Sequence, residues 1–161
     1  MANPGMQSQP IPTLLIVEDG DEYLEFFERH LLGYRLVQAK NAAQTMALLK
    51  KHAVDLIVLD IRFDRIPRED LIGDVMELSR TRFGQDTDLT EAWRYLAEKQ
   101  GFLVGQRLRE QGIRLPFLFI ESLPARQVEN LNRLYGPVTV VPEFDPKSIH
   151  GAIVRALSSP P

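Results

Sequence analysis

The sequence predicts an α/β fold, a doubly wound sheet of five parallel strands, and three observations support this class. Short aliphatic runs recur along the chain without polar alternation, which is typical of strands buried on both faces of a parallel sheet. Segments with apolar residues at helical spacing separate these runs, and this alternation favours a doubly wound sheet. Two of the runs end in acidic residues, and right-handed crossovers place such strand ends along one edge.

The first third of the chain predicts three strands and two helices. The run LLIV over residues 14–17 predicts the first strand, and a helix follows from Asp21 to a stop near Gly33. Residues 34–38 predict the second strand, Asn41 is a predicted N-cap of the second helix, and LIVL over 56–59 predicts the third strand. The predicted apolar faces are Tyr23, Leu24, Phe27, Leu31 and Leu32 for the first helix, and Ala42, Met46, Leu49 and Ala53 for the second.

Residues 61–100 are longer than an ordinary connection of about 2–6 residues, and their apolar spacing is helical. We expect a helix over 69–82 and, after the break FGQDTD, a long helix that begins at a capping box of Asp88 and Glu91. Gly101 and Gly105 are the expected points at which it divides or bends.

The rest of the chain predicts strands over 117–120 and 138–141 and helices over 123–134 and 146–157. We therefore expect one domain over residues 12–158, with an insertion at about 63–99 and with flexible tails at 1–11 and 159–161.

Composition narrows the functional classes. The 161 residues fit one domain, and a net charge of −3 without a basic face argues against direct nucleic-acid binding. The absence of cysteine excludes disulfides and cysteine-based metal or nucleophilic sites. No apolar run is long enough to span a bilayer, and the N-terminus lacks the features of a secretory signal. We therefore expect a cytoplasmic protein without membrane insertion.

Three acidic residues are the candidate functional site. Glu18 and Asp19 follow the first predicted strand, and Asp60 follows the third, so their carboxylates are expected to converge where doubly wound folds bind ligands. A hard cation such as Mg²⁺ is the usual partner of clustered carboxylates, and Asp60 beside it could attack a phosphoryl group. The alternative is that these acids only cap helices or end strands. A single acid favours that alternative, whereas three acids in this arrangement favour a site.

The order and spacing of these motifs resemble the receiver domains of two-component response regulators. TLLIVEDGDEYLEFF resembles the family's first strand, acidic pair and first helix, and DLIVLDI resembles the strand that presents its phospho-accepting aspartate. GFLVGQRLREQGIRLPFLFI resembles the third helix, turn and fourth strand, and FDPKSIHGAIVRAL resembles the last helix. The similarity covers nearly the whole chain apart from the tails and residues 63–99.

The resemblance implies a flavodoxin-like topology with an extra helix between strand three and helix three. It also implies Asp60 as the phospho-acceptor and Mg²⁺ held by Glu18, Asp19, Asp60 and the backbone carbonyl of Arg62. A histidine kinase or a phosphotransfer protein would be the partner that supplies phosphate.

The sequence departs from the family at the end of the fourth strand. Receivers carry a threonine or serine there, which hydrogen-bonds the phosphoryl group, whereas this chain has Glu121 and then Ser122. A carboxylate at that place would repel a phosphoryl group. A register shift of one residue would bring Ser122 into line.

The fifth strand also departs from the family pattern. Receivers carry a lysine after this strand, and here Pro142 or Val141 occupies its position. The family's aromatic switch residue is replaced by Thr139 or Val138. The groups that sense phosphorylation are therefore degenerate, and the resemblance predicts an atypical receiver.

Two functions remain open at this point. The first is a non-catalytic signalling domain of two-component or phosphorelay type that acts mainly through protein contacts. The second is a working receiver that is phosphorylated on Asp60 with Mg²⁺. The four aromatic residues of the inserted region are either core or a partner surface, and periodicity favours core. They are Phe83, Trp93, Tyr95 and Phe102.

An enzyme with independent turnover is disfavoured. A phosphatase of the haloacid-dehalogenase type needs a second acid two residues after the nucleophile, where this chain has Arg62. The histidines have no ligand spacing, and no glycine-rich phosphate loop follows a strand. We therefore expect no catalytic activity.

Overall fold

A computed structural model describes residues 10–84 and 89–158 of the chain. Its strands are β1 Thr13–Val17, β2 Arg35–Ala39, β3 Leu56–Leu59, β4 Phe117–Ile120 and β5 Val138–Val141. Its α-helices are α1 Glu22–His30, α2 Ala42–Lys51, α3 Val75–Arg82, α4 Thr90–Glu98, α5 Gln100–Glu110, α6 Ala125–Tyr135 and α7 Pro146–Ser158. A 3₁₀ turn covers Arg68–Asp70. None of these helices is both long and apolar enough to cross a membrane.

The five strands form one parallel sheet in the order β2-β1-β3-β4-β5, which confirms the predicted fold class. All residues of β1, β3 and β4 are buried, whereas the edge strand β2 is partly exposed. This difference explains why the central strands have uninterrupted aliphatic runs. Val17 pairs with Leu59, so the residues that follow β1 and β3 are neighbours at the carboxyl edge of the sheet.

Helices cover both faces of the sheet, and side chains alternate between the two cores along each central strand. One core packs the sheet against α1 and α7, and the other packs it against α2, α5 and α6. The first core includes Leu14, Ile16, Phe27, Leu56, Val58, Leu118, Ile149 and Ile153. The second includes Leu15, Val17, Ala42, Ile57, Leu59, Val104, Leu108, Phe117 and Leu131.

Three details of the first elements differ from the predictions. Leu32 was predicted on an apolar face but is 82% exposed, because α1 ends at His30 before the next turn could form. Ala53 is exposed because α2 ends at Lys51. The strand β2 begins one residue later than predicted. The predicted N-cap is confirmed, since the Asn41 side chain accepts a hydrogen bond from the backbone N–H of Gln44 at 2.8 Å.

The inserted region starts with less helix than predicted. The expected helix over 69–82 is replaced by the 3₁₀ turn, an irregular stretch and the shorter helix α3. Gly73 has a φ of +126°, a conformation that excludes a continuous helix. The buried side chain of Gln100 holds the irregular stretch, because its amide exchanges hydrogen bonds of 2.7 and 3.1 Å with the backbone of Ile72. The predicted capping residue Asp88 lies outside the described residues.

The predicted long helix is divided at Lys99, between α4 and α5, rather than at Gly101 or Gly105. The loop after β3 explains the position of the break. The backbone N–H of Phe63 donates to the carbonyl oxygen of Ala97 at 2.8 Å, and the N–H of Gly101 donates to that of Ile61 at 2.9 Å. Two backbone hydrogen bonds therefore fasten the inserted helices to this loop.

Gly101 also lies against the backbone of Asp60. A methyl group in place of its hydrogen would overlap the Asp60 carbonyl oxygen, so no other residue fits without displacing either the loop or α5. Of the predicted tails, residues 1–9 and 159–161 lie outside the described residues, and Ile11 is 57% exposed.

The close contact at Gly101 gives a stability prediction with a matched control. Gly101→Ala should lower the free energy of unfolding by about 2 kcal/mol or more, because backbone must move to relieve the overlap. In Gly151→Ala, in the interior of α7, the added methyl group contacts only the flexible end of the Arg155 side chain. This substitution should raise the free energy of unfolding by up to about 1 kcal/mol. Urea unfolding measures both. Equal effects of the two substitutions would contradict the contact.

Candidate functional site

Four acidic residues lie at the carboxyl edge of the sheet, at the ends of three neighbouring strands. Glu18 and Asp19 follow β1, Asp60 follows β3, and Glu121 follows β4. The backbone N–H of Asp60 donates to the carbonyl oxygen of Val17 at 2.9 Å, which fixes the third acid beside the first two. The sheet therefore brings the sequence-predicted acids together at one edge.

The carboxylate of Glu18 binds the start of α1. It is 1% exposed and accepts hydrogen bonds from the backbone N–H groups of Tyr23 at 3.0 Å and Leu24 at 2.9 Å. The Gln38 amide donates a third bond at 3.1 Å. Burial raises the pKa of Glu18, and these hydrogen bonds oppose that shift. Glu18 thus satisfies free donors at a helix N-terminus, where negative charge is favourable.

Asp19 connects the site to the inserted region. Its Oδ2 accepts a hydrogen bond of 2.8 Å from the backbone N–H of Arg65. The Arg65 guanidinium forms an ion pair of 2.5 Å with Glu22 on α1, and Lys40 pairs with Asp21 at 2.6 Å. These two cations lie at the rim of the site and have carboxylate partners there.

Asp60 is the most strongly perturbed acid of the site. Its Oδ1 accepts the backbone N–H of Ile61 at 2.9 Å. Burial raises the pKa of Asp60 to about 7, and the negative charges of Asp19, Glu18 and Glu121 contribute in the same direction against the hydrogen bond from Ile61. The charges that contribute most to this shift are all negative. Near neutral pH, Asp60 is therefore divided between its protonated and ionised forms.

Tyr23 is a site residue that the sequence indicated only as part of an apolar helix face. Its hydroxyl donates to the carbonyl oxygen of Ile120 at 3.3 Å, at the end of β4. Burial raises the pKa of Tyr23, and the charges of Asp60, Glu121 and Glu18 raise it further. The ring is thus a neutral wall of the acidic site. Apolar spacing could not distinguish this position from an ordinary core tyrosine.

The predicted Mg²⁺ site of Glu18, Asp19, Asp60 and the Arg62 carbonyl stays a prediction. In residues 10–84 and 89–158, no group of three or more acidic, histidine or cysteine side chains is placed to hold a metal ion. Both carboxylate oxygens of Glu18 accept hydrogen bonds from the start of α1. Asp19 and Asp60 each keep one carboxylate oxygen without a partner among the described residues. Carboxylate oxygens are the ligand type that Mg²⁺ prefers, and this ion commonly retains several waters.

The end of β4 follows the ungapped alignment. Ile120 pairs with Val141, and the backbone N–H of Glu121 continues the ladder with a bond of 2.9 Å to the Val141 carbonyl oxygen. Glu121 is therefore the first residue after the strand, and Ser122 is exposed one position farther on. The Glu121 carboxylate is close enough to raise the pKa of Asp60.

At β5, Thr139 pairs with Leu118 in the middle of the ladder and is partly buried. Pro142 follows the strand and lines a different cavity with Glu143 and Lys147. Lys147 is exposed in the first turn of α7. The strand thus provides neither a lysine nor an aromatic side chain at the positions that the resemblance marks.

A cavity of about 130 Å³ lies beside the acids, between the end of β4 and the inserted helices. It is lined by Ile61, Arg62, Glu98, Lys99, Phe102, Glu121, Leu123 and Gln127. The inserted region therefore forms one wall of the site.

Comparison with solved structures places this fold among receiver domains. A CheY-like receiver domain from Methanospirillum hungatei has a TM-score of 0.59 and 12% identity over 92% of this chain and 94% of its own. The HemR receiver domain of Leptospira biflexa has a TM-score of 0.61 and 21% sequence identity, over 93% of this chain and 97% of its own. The response regulator TrrA of Thermotoga maritima was solved in complex with Mg²⁺ and BeF. It has a TM-score of 0.57 and 15% sequence identity, over 90% of this chain and 98% of its own.

The chain thus has the CheY-like receiver fold, which confirms the fold that the motifs predicted. No protein-family model matches the sequence, and no curated protein is significantly similar to it.

The raised pKa of Asp60 predicts a pH-dependent effect on stability. The pKa of its carboxyl group is ordinarily 3.8 and rises to about 7 in the fold, so the folded state binds the proton more tightly than the unfolded state. The free energy of unfolding therefore falls as the pH rises from about 4 to about 7. Asp60→Asn removes the cost of ionising this buried carboxyl group. It should raise the free energy of unfolding at about pH 8 by about 1–3 kcal/mol, a range that allows for solvent screening, and should change it little at about pH 4.

Urea unfolding in a chelator measures this difference without bound divalent metal. Asp70→Asn, at an exposed position in the 3₁₀ turn, is the matched control and should change stability by less than about 0.5 kcal/mol at both pH values. No gain from Asp60→Asn at the higher pH would contradict a raised pKa.

Proposed function

We propose that this protein is an atypical receiver-like signalling domain of a two-component or phosphorelay pathway that acts mainly through protein contacts. The observation that carries this proposal is the position of Glu121 at the end of β4, where its charge acts on Asp60. Pro142 supports it, because no cation follows β5 at the position of the family's lysine.

Electrostatics explains why these two replacements disfavour phosphorylation. At an effective dielectric of about 20, two like charges about 5 Å apart repel by roughly 3 kcal/mol, and a phosphoryl group carries more than one charge. Asp60 is also partly protonated near neutral pH, and the protonated carboxyl group is not a nucleophile. Both effects oppose the acyl phosphate that a conventional receiver forms.

A second candidate is a working receiver that is phosphorylated on Asp60 by a histidine kinase or phosphotransfer protein. The free carboxylate oxygens of Asp19 and Asp60 favour it, because they would hold Mg²⁺ together with the Arg62 carbonyl that the resemblance marks. A bound Mg²⁺ would lower the pKa of Asp60 and offset charge on a phosphoryl oxygen. In this candidate, Glu18 contributes by fixing α1 and the β1 end.

Under either candidate we assign the protein to signalling by protein partners in the cytoplasm, without an enzymatic turnover of its own. The acidic balance of the chain and the lack of a basic face argue against a nucleic-acid partner. The receiver fold supports a kinase or phosphotransfer protein as partner under the second candidate.

Beryllofluoride with Mg²⁺, a stable mimic of the phosphoryl group, tests the two candidates. In backbone amide NMR spectra, we expect no saturable shift at Asp60 and its neighbours, because Glu121 repels the anion. The double substitution Glu121→Thr with Pro142→Lys restores the family pattern and should create a saturable response.

Asp60→Asn in the restored background is the control and should abolish that response. A saturable shift in the unmodified protein that Asp60→Asn removes would contradict the leading proposal and establish the second candidate.

A further inference from the structure

A short segment at the start of the inserted region reaches back to the loop between β1 and α1. It consists of residues 64–65, which are exposed and are called the strap below. The residues on either side of the strap are fixed, because Phe63 is fully buried and Ile66 packs against the same core. Between these anchors the strap contacts Asp19 and Glu22, and it therefore joins the inserted region to the acidic site.

Arg65 makes both contacts of the strap. Its backbone N–H donates to Oδ2 of Asp19 at 2.8 Å, and its guanidinium pairs with the Glu22 carboxylate at 2.5 Å. This ion pair lies against Gly20, which is buried. A methyl group at Gly20 would overlap the ends of both charged side chains. The closed strap thus requires a glycine at this position.

The strap holds the acid that a cation at the site would need. Asp19 is bonded to the strap alone among the described residues, whereas Glu18 is held by α1. In the part of the chain that the structure describes, no three carboxylates are placed together to hold a metal ion. Coordination by three of them therefore requires at least one to move. Movement of Asp19 breaks its hydrogen bond with the Arg65 N–H.

We propose that the strap is a switch that is closed on Asp19 and opens when Asp19 binds a divalent cation. This inference rests on the proposed function, because it assigns a means of regulation to the same acidic site. The anchor Phe63 donates its backbone N–H to the Ala97 carbonyl oxygen on α4, so the strap is next to a fixed contact with the inserted helices. Its opening reports cation binding to that region, in a chain whose switch positions on β4 and β5 are degenerate.

Thermodynamic linkage requires the switch to work in both directions. If cation binding opens the strap, a substitution that opens the strap must raise the affinity for the cation. Gly20→Ala does so without changing any charge, because the added methyl group displaces the ends of the Arg65 and Glu22 side chains. Both side chains are flexible and more than half exposed, and the φ of Gly20 is not positive, so the fold should tolerate alanine.

A Mg²⁺ titration of the full chain, followed by amide NMR, tests the proposal. In the unmodified protein we expect Mg²⁺ alone to shift the Arg65 amide saturably and to speed its hydrogen exchange about threefold or more, since the N–H loses its acceptor. Gly20→Ala and Arg65→Ala should each raise the Mg²⁺ affinity about threefold, which is within the range of an exposed ion pair. Asp19→Asn should abolish the response.

Two substitutions outside the strap are matched controls. Gly151→Ala adds a methyl group on α7, and Arg80→Ala removes one exposed positive charge from α3. Each should change the Mg²⁺ affinity less than about 1.5-fold, because distant sites act independently. Circular dichroism confirms that every variant is folded.

The proposal is overturned if Mg²⁺ leaves the Arg65 amide unaffected, if Asp19→Asn keeps the response, or if Gly20→Ala does not raise the affinity. A rise in Arg65→Ala alone also overturns it, because the loss of a positive charge then explains the effect. These outcomes leave the protein-contact function standing. A beryllofluoride response of the unmodified protein would defeat that function whatever the strap does.

Discussion

The backbone pairing of β1 with β3 is the interaction on which the site depends. It aligns Val17 with Leu59 and bonds the Asp60 N–H to the Val17 carbonyl oxygen at 2.9 Å. Because the strands are parallel, the residues that follow them share one edge, and here these residues are acids. Negative charge therefore accumulates in a partly buried place, and the cations at its rim, Lys40 and Arg65, are paired with Asp21 and Glu22. The surrounding backbone stabilises this charge through hydrogen bonds that differ from one acid to the next.

Each acid is accommodated in a different way. Glu18 is fully buried and accepts the free N–H groups of α1, so the fold uses its charge as a helix cap. Asp19 accepts a backbone N–H from the inserted region. Asp60 accepts only the N–H of Ile61, and burial beside the other acids raises its pKa to about 7. These differences explain why Asp60 is the member of the site that is most sensitive to pH.

The inserted region is an integral part of the domain. Two backbone hydrogen bonds and the contact at Gly101 fix α4 and α5 to the loop after Asp60, and Gln100 holds the irregular stretch before α3. In a conventional receiver, side chains on β4 and β5 connect the phospho-acceptor to the surface. Here the inserted helices are in direct backbone contact with the loop that follows Asp60.

The amino-acid sequence was sufficient to predict the sheet, the order of the elements along the chain and the position of the acids. Uninterrupted apolar runs and strand-end acids are local signals, and they identified β1, β3 and β4 to within a residue. Helix ends were less accurate, as at Leu32, because apolar spacing continues past the residue at which backbone bonding stops. The tertiary structure alone decided that Glu18 caps α1, that Tyr23 borders the acids and that Lys99 divides the inserted helices. These features depend on contacts between residues distant in sequence or on which oxygen meets which donor, and no periodic pattern encodes them.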